Sequence, residues 1–84
     1  MQNVRVVTVR YWAGARAAAG RAEEMVDAAT IGDLLAQVAA EHDIERVIAV
    51  SSLLVDGVNV RRDDTGHALP AGAVVDVLPP FAGG

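Results

Sequence analysis

Apolar and polar positions alternate from Val4 to Trp12, with Val7, Val9 and Tyr11 on one side and Val4, Val6, Thr8 and Arg10 on the other. A period of two marks a half-buried strand, which points Tyr11 inward. Trp12 falls on the mixed face, where burial and contact with a partner are both open. A second pattern begins at Thr30. Ile31, Leu34, Leu35, Val38 and Ala39 follow the spacing i, i+3, i+4, i+7, i+8, while Asp33, Gln37 and Glu41 lie opposite. That stripe predicts an amphipathic helix over 30–42 laid on a sheet. Thr30 stands where a cap belongs, and Asp33 three residues later makes an approximate capping box.

The remaining segments are shorter. The Ala-rich stretch 13–20 reads as a helical turn or compact loop closed by Gly20. Residues 21–27 form a weakly patterned strand, because Ala22, Glu23 and Glu24 are poor strand formers. Ile44, Val47 and Ile48 suit either a helical turn or the lead-in to a strand. Ser51 to Val55 reads as a strand, Asp56-Gly57 is a tight-turn signal, and Val58 to Arg61 completes the hairpin. After the polar loop 63–67, Leu69-Pro70-Ala71-Gly72 places Pro and Gly where a turn wants them. Ala73 to Leu78 is apolar on both faces apart from Asp76, which fits a central, doubly covered strand. The predicted order is strand, strand, helix, strand, strand, strand. The class is α+β, a mixed sheet of about four or five strands packed on one main helix.

Eighty-four residues at 52% apolar composition suit one small globular domain, residues 1–84. Without cysteine there is no disulfide, thiolate metal site or thiol nucleophile. A net charge of −4 and the lack of a basic cluster argue against nucleic acid as a partner. No apolar run approaches the ~20 residues that span a bilayer, so no membrane role is expected, and a cytoplasmic location is. All seven basic residues are Arg, so the chain offers no side-chain amine.

Conventional catalytic groupings are missing. His42 and His67 lack companions at metal-ligand spacing, so surface roles are expected for both and no metal site. Asp63-Asp64 and Glu23-Glu24 read as solvated pairs. Ser51-Ser52 has no evident base, and no phosphate-binding glycine motif occurs. The chain reads as a poor enzyme by itself.

Candidate chemistry gathers instead in Val77-Leu78-Pro79-Pro80-Phe81-Ala82-Gly83-Gly84. Pro79 and Pro80 lack N–H groups and fix φ, which ends ladder pairing and holds the exit extended. Six extended residues from Pro79 could reach roughly 20 Å. Ala82 and Gly83 are slender enough to enter a narrow passage, and the reactive group at the tip is the α-carboxylate of Gly84. A frayed terminus is the plain alternative. Phe81, with Pro79 and Pro80, is a candidate partner contact at the root of this flexible tail, and Phe81 as a cap on the core is equally open.

Leu78-Pro79-Pro80-Phe81-Ala82-Gly83-Gly84, Arg10-Tyr11-Trp12-Ala13-Gly14-Ala15-Arg16 with Gly20, Thr30-Ile31-Gly32-Asp33-Leu34-Leu35 and Leu69-Pro70-Ala71-Gly72 resemble the MoaD/ThiS sulfur carriers. Within that group the likeness is greatest to small subunits of molybdopterin synthase, and it covers essentially the whole length. The resemblance implies a ubiquitin-like β-grasp fold. It also implies that Gly84 is adenylated by an E1-like ATP-dependent enzyme and converted to a thiocarboxylate. The charged tail would then enter the large synthase subunit and give sulfur to cyclic pyranopterin monophosphate, forming molybdopterin. Implied partners are that large subunit, the activating enzyme and a sulfur donor of rhodanese or cysteine-desulfurase type. No cofactor is bound permanently, and ATP is used by the activating enzyme. In this sense the chain is a sulfur-donating subunit of a transferase. The polar second strand and the loop 61–67 depart from the family's pattern. Sulfur delivery to thiamine, cysteine or tRNA, a lysine-linked modifier, and an inert interaction module remain open.

Overall fold

The computed structural model describes residues 6–80. Along the chain run β1 (Val6–Tyr11), α1 (Ala13–Ala19), β2 (Glu23–Asp27), α2 (Ile31–Glu41), α3 (Glu45–Ala49), β3 (Ser52–Val55), β4 (Val58–Val60) and β5 (Val74–Leu78). The strands form one sheet in the order β2-β1-β5-β3-β4. β5 pairs parallel with β1 and antiparallel with β3, so the last strand is central, as its two-sided apolar character predicts.

The alternation in β1 sorts its residues by face. Val7, Val9 and Tyr11 are buried together with Val75, Val77, Leu53 and Val55 on the inner side. Ile31, Leu34 and Val38 of α2 join the same apolar cluster, with Leu35 packed against its edge. The helix stripe and the sheet's inner face bury each other, which is the β-grasp arrangement expected. Thr30 caps α2 by accepting from the Asp33 N–H at 3.1 Å. Asp56 and Gly57 both have positive φ, 48° and 85°, as a type I′ hairpin turn requires.

Two elements go beyond the predicted order. The Ala-rich stretch is a true helix, α1, burying Ala15 and Ala19 and ending on Gly20 in the left-handed region at φ 75°. The ambiguous segment 43–50 resolves as α3, which buries Ile48, with Ile44 buried just ahead of it. A five-residue helix is stabilised by such packing and not by propensity. The first strand ends at Tyr11, one residue earlier than its pattern suggests, because Trp12 already occupies the N-cap position of α1.

The loop 61–67 lies against the start of α2. Its Thr65 and His67 carbonyls accept from the Gly32 and Ile31 N–H groups at 2.9 and 3.0 Å. A Cβ at Gly32 would lie 3.0 Å from the Thr65 side chain and carbonyl, a tight approach that glycine relieves.

Candidate functional site

The outer face of the sheet carries the residues that alternate with the core. Register places Arg10 beside Asp76 and Asp76 beside Leu54, with Thr8 beside Val74 and Ser52 beside Leu78 in the flanking rows. Thr8, Leu54, Val74 and Leu78 are half-buried, and Met25 on β2 is 73% exposed. β5 delivers the chain out of the sheet at the Leu78 end. There the Trp12 N–H donates to the Val77 carbonyl at 3.2 Å, so the root of the tail passes next to Trp12.

Asp76 is the charged residue in this central strand, and it is 6% exposed. A carboxylate so placed must be matched. Arg10 Nε donates to Oδ1 at 2.7 Å and Nη2 to Oδ2 at 3.0 Å, a bidentate pair. The indole Nε1–H of Trp12 donates to Oδ1 at 2.8 Å. The Arg10 guanidinium also lies 5.6 Å from the centre of the Trp12 ring, within cation–π range. Hydrogen bonding from Arg10 holds the Asp76 carboxyl below the usual range, against the opposing effect of burial. The Trp12 ring is thereby fixed in place while the residue stays 43% exposed.

A second cluster ties β2 to the end of α2. Tyr11 Oη donates to Glu24 Oε2 at 2.5 Å, and His42 Nε2 lies 2.6 Å from the same oxygen. A carboxylate only accepts, so Nε2 carries the hydrogen. The Tyr11 and His42 rings meet edge to face at 6.0 Å. Burial raises the Glu24 pKa, but the bonds from Tyr11 and His42 outweigh it and leave the group low. Burial, followed by the Glu24 bond, pushes the Tyr11 hydroxyl up. His42 and Glu24 therefore depart from the solvated roles expected of them, because the sheet edge and the helix end close over both. His67 keeps a surface role, 3.5 Å from Asp64. Ser51 is buried and donates its hydroxyl to the Val47 carbonyl, tying β3's approach to α3. Among the described residues no three His, Cys, Asp or Glu side chains gather as metal ligands.

Of the predicted tail residues, Pro79 is buried and Pro80 exposed. Pro79 thus packs within the domain, while Pro80 is exposed among the described residues. Phe81, Ala82, Gly83 and Gly84 lie outside the described residues. The sequence alone does not mark Arg10 and Asp76 as site residues. A lone acid in an apolar strand was the available signal, but its partner is known only once β1 and β5 are paired.

Comparison with known proteins gives this arrangement its context. The ThiS family model matches residues 9–84, which is nearly the whole chain. The chain belongs to the ThiS family. Among solved structures, this ThiS-family chain is similar to the small archaeal modifier protein SAMP1 of Haloferax volcanii. Identity there is 25%, coverage is 94% of this chain and 99% of that one, and the TM-score is 0.80. It is also similar to a protein described as molybdopterin converting factor subunit 1 from Pyrococcus furiosus, at 27% identity, 90% and 98% coverage and TM-score 0.78. A protein–protein complex of subunits 1 and 2 of the molybdopterin-converting factor from Helicobacter pylori shares the fold. It is 19% identical, with 94% and 99% coverage and TM-score 0.74. No curated protein matches the chain. The fold is the ubiquitin-like β-grasp, and the family is that of ubiquitin-like sulfur carriers and modifiers.

Proposed function

We propose that this ThiS-family chain is the sulfur-carrying small subunit of a molybdopterin synthase, with the carboxylate of Gly84 as its reactive group. The observation that supports this reading is the span of the family match, which runs to residue 84 and so includes Pro79-Pro80-Phe81-Ala82-Gly83-Gly84. Similarity to the Pyrococcus converting-factor subunit favours the molybdopterin branch.

In the proposed sequence the Gly84 carboxylate attacks the α-phosphorus of ATP, and pyrophosphate leaves. Hydrosulfide then attacks the acyl carbon and AMP departs with the carboxylate oxygen, leaving a thiocarboxylate. A partner subunit binds the tail and passes the sulfur to cyclic pyranopterin monophosphate. Activation belongs to an E1-like adenylating enzyme, and the sulfur comes from a rhodanese or cysteine-desulfurase type donor, whose persulfide is released as hydrosulfide by a thiol reductant that is itself oxidised to a disulfide. Gly83 and Gly84 suit a narrow channel because they have no side chain and adopt any φ.

The test is the intact mass of the chain after incubation with ATP, sulfide and the host's adenylating enzyme. A gain of one oxygen-to-sulfur exchange on the C-terminal peptide, absent without ATP, is expected. Replacing Gly84 by a bulky residue abolishes the gain and leaves the melting temperature unchanged. No gain with any host adenylating enzyme overturns the reading. Similarity to SAMP1 favours a second reading, in which the activated terminus is joined to lysines of other proteins. Immunoblots of tagged chain showing high-mass conjugates would select it.

A further inference from the structure

We infer that Asp76 is a positioning residue for docking: it holds the exposed Trp12 indole beside the root of the tail, ready to meet the enzyme that adenylates Gly84. This rests on the carrier reading above and adds a residue to it.

The argument starts from reach. Four residues lead from Pro80 to Gly84, and fully extended they span at most about 14 Å. An enzyme that engages the carboxylate of Gly84 must therefore bring its surface close to the point where β5 leaves the sheet. Trp12 flanks that point, through its main-chain bond to Val77. It also caps α1, accepting from the Ala15 N–H at 2.9 Å, so its backbone is fixed on both sides. Ala13, next in the chain, holds φ 48° in the left-handed region, an uncommon backbone for a residue with a side chain.

What remains to be fixed is the side chain. An indole that is 43% exposed on a sheet face would ordinarily sample several rotamers. Here its one donor is committed to Asp76, and Arg10, clamped to the same carboxylate, lies within cation–π range of its ring. An aromatic anchor ordered before binding loses little freedom on association, and that saving appears as affinity. A carboxylate otherwise ill-suited to an apolar strand is thus explained by what it orients.

Trp12 is the only tryptophan, so its fluorescence reports on this site alone. Time-resolved anisotropy of the free chain should show whole-molecule tumbling in the parent and a fast local component in Asp76→Ala. Asp76→Asn keeps an oxygen acceptor and should restore the slow decay. In pyrophosphate exchange with the host's adenylating enzyme, Asp76→Ala should raise KM for the carrier about fivefold with kcat unchanged. Asp76→Asn should stay near the parent, and Asp76→Ala should add nothing in a Trp12→Ala background. Trp12→Phe removes the donor while leaving the Arg10 pair, so it should raise KM even if Asp76→Ala folds poorly. A slow decay in a folded Asp76→Ala, or a freed indole with unaltered KM, overturns the inference. If Trp12→Ala leaves KM unchanged while exchange proceeds, the positioning role falls and the carrier reading stands. If the parent chain supports no exchange, both fall.

Discussion

Asp76 and Glu24 each anchor a cluster of side chains, and both have carboxyl groups held below their ordinary range. A carboxylate with a depressed folded pKa contributes stability above its unfolded value, near 4, and loses it as pH falls through the folded one. Asp76→Asn should therefore be less stable than the parent at neutral pH. The difference should shrink steadily below about pH 4, read by urea melts at stepped pH. A gap that is constant with pH would show that the ionised form has no special role. Tyr11→Phe tests the other cluster. It removes one hydrogen bond and leaves Glu24 its contact with His42, so a loss of about 1 kcal/mol is expected in the same melts.

α2 is the element whose sequence signal and observed form agree most closely. Its stripe, cap and polar face all point one way, and the buried residues Ile31, Leu34 and Val38 are those of the stripe. Thr30→Ala removes the acceptor for the Asp33 N–H and should cost about 1 kcal/mol in denaturant unfolding. α1 and α3 were harder to read because seven and five residues give too few turns for a period to show. Their helical form depends on what they pack against. β2 is the weakest strand by composition, with an exposed and half-buried alternation and a place at the edge of the sheet among the described residues. Pairing with β1 and the Glu24 contacts hold it, where propensity would not.

Over the whole molecule the sheet has two unlike faces. The inner one is buried under helices. The outer one stays open enough to leave Met25 exposed on β2 and Trp12 exposed beside the end of the central strand. The proposed docking surface thus lies on the side of these strands opposite the main apolar core. Leu34→Ala, at a fully buried inner position, should cost about 2–5 kcal/mol. That is a large part of the 5–15 kcal/mol typical of a folded domain. It should lower the melting temperature while leaving KM for the adenylating enzyme unchanged at temperatures where the chain stays folded. Raised KM in folded Leu34→Ala would mean that the two faces are not separable.

The sequence by itself determined the fold class, the main helix, the hairpin turn at Asp56-Gly57 and the central place of the last strand. Each rests on local chemistry: a period of 3.6 or 2, a turn that needs positive φ, or an apolar run covered on both sides. Only the tertiary structure decided which charges meet. Arg10 and Asp76 are 66 residues apart, and Tyr11 and His42 come together only when α2 crosses the sheet. Parallel pairing of β1 with β5 sets one register among several that burial of alternate residues would allow. A one-residue slip would turn Asp76 into the core, and a two-residue slip would part it from Arg10. That register places a fixed tryptophan at the root of the tail.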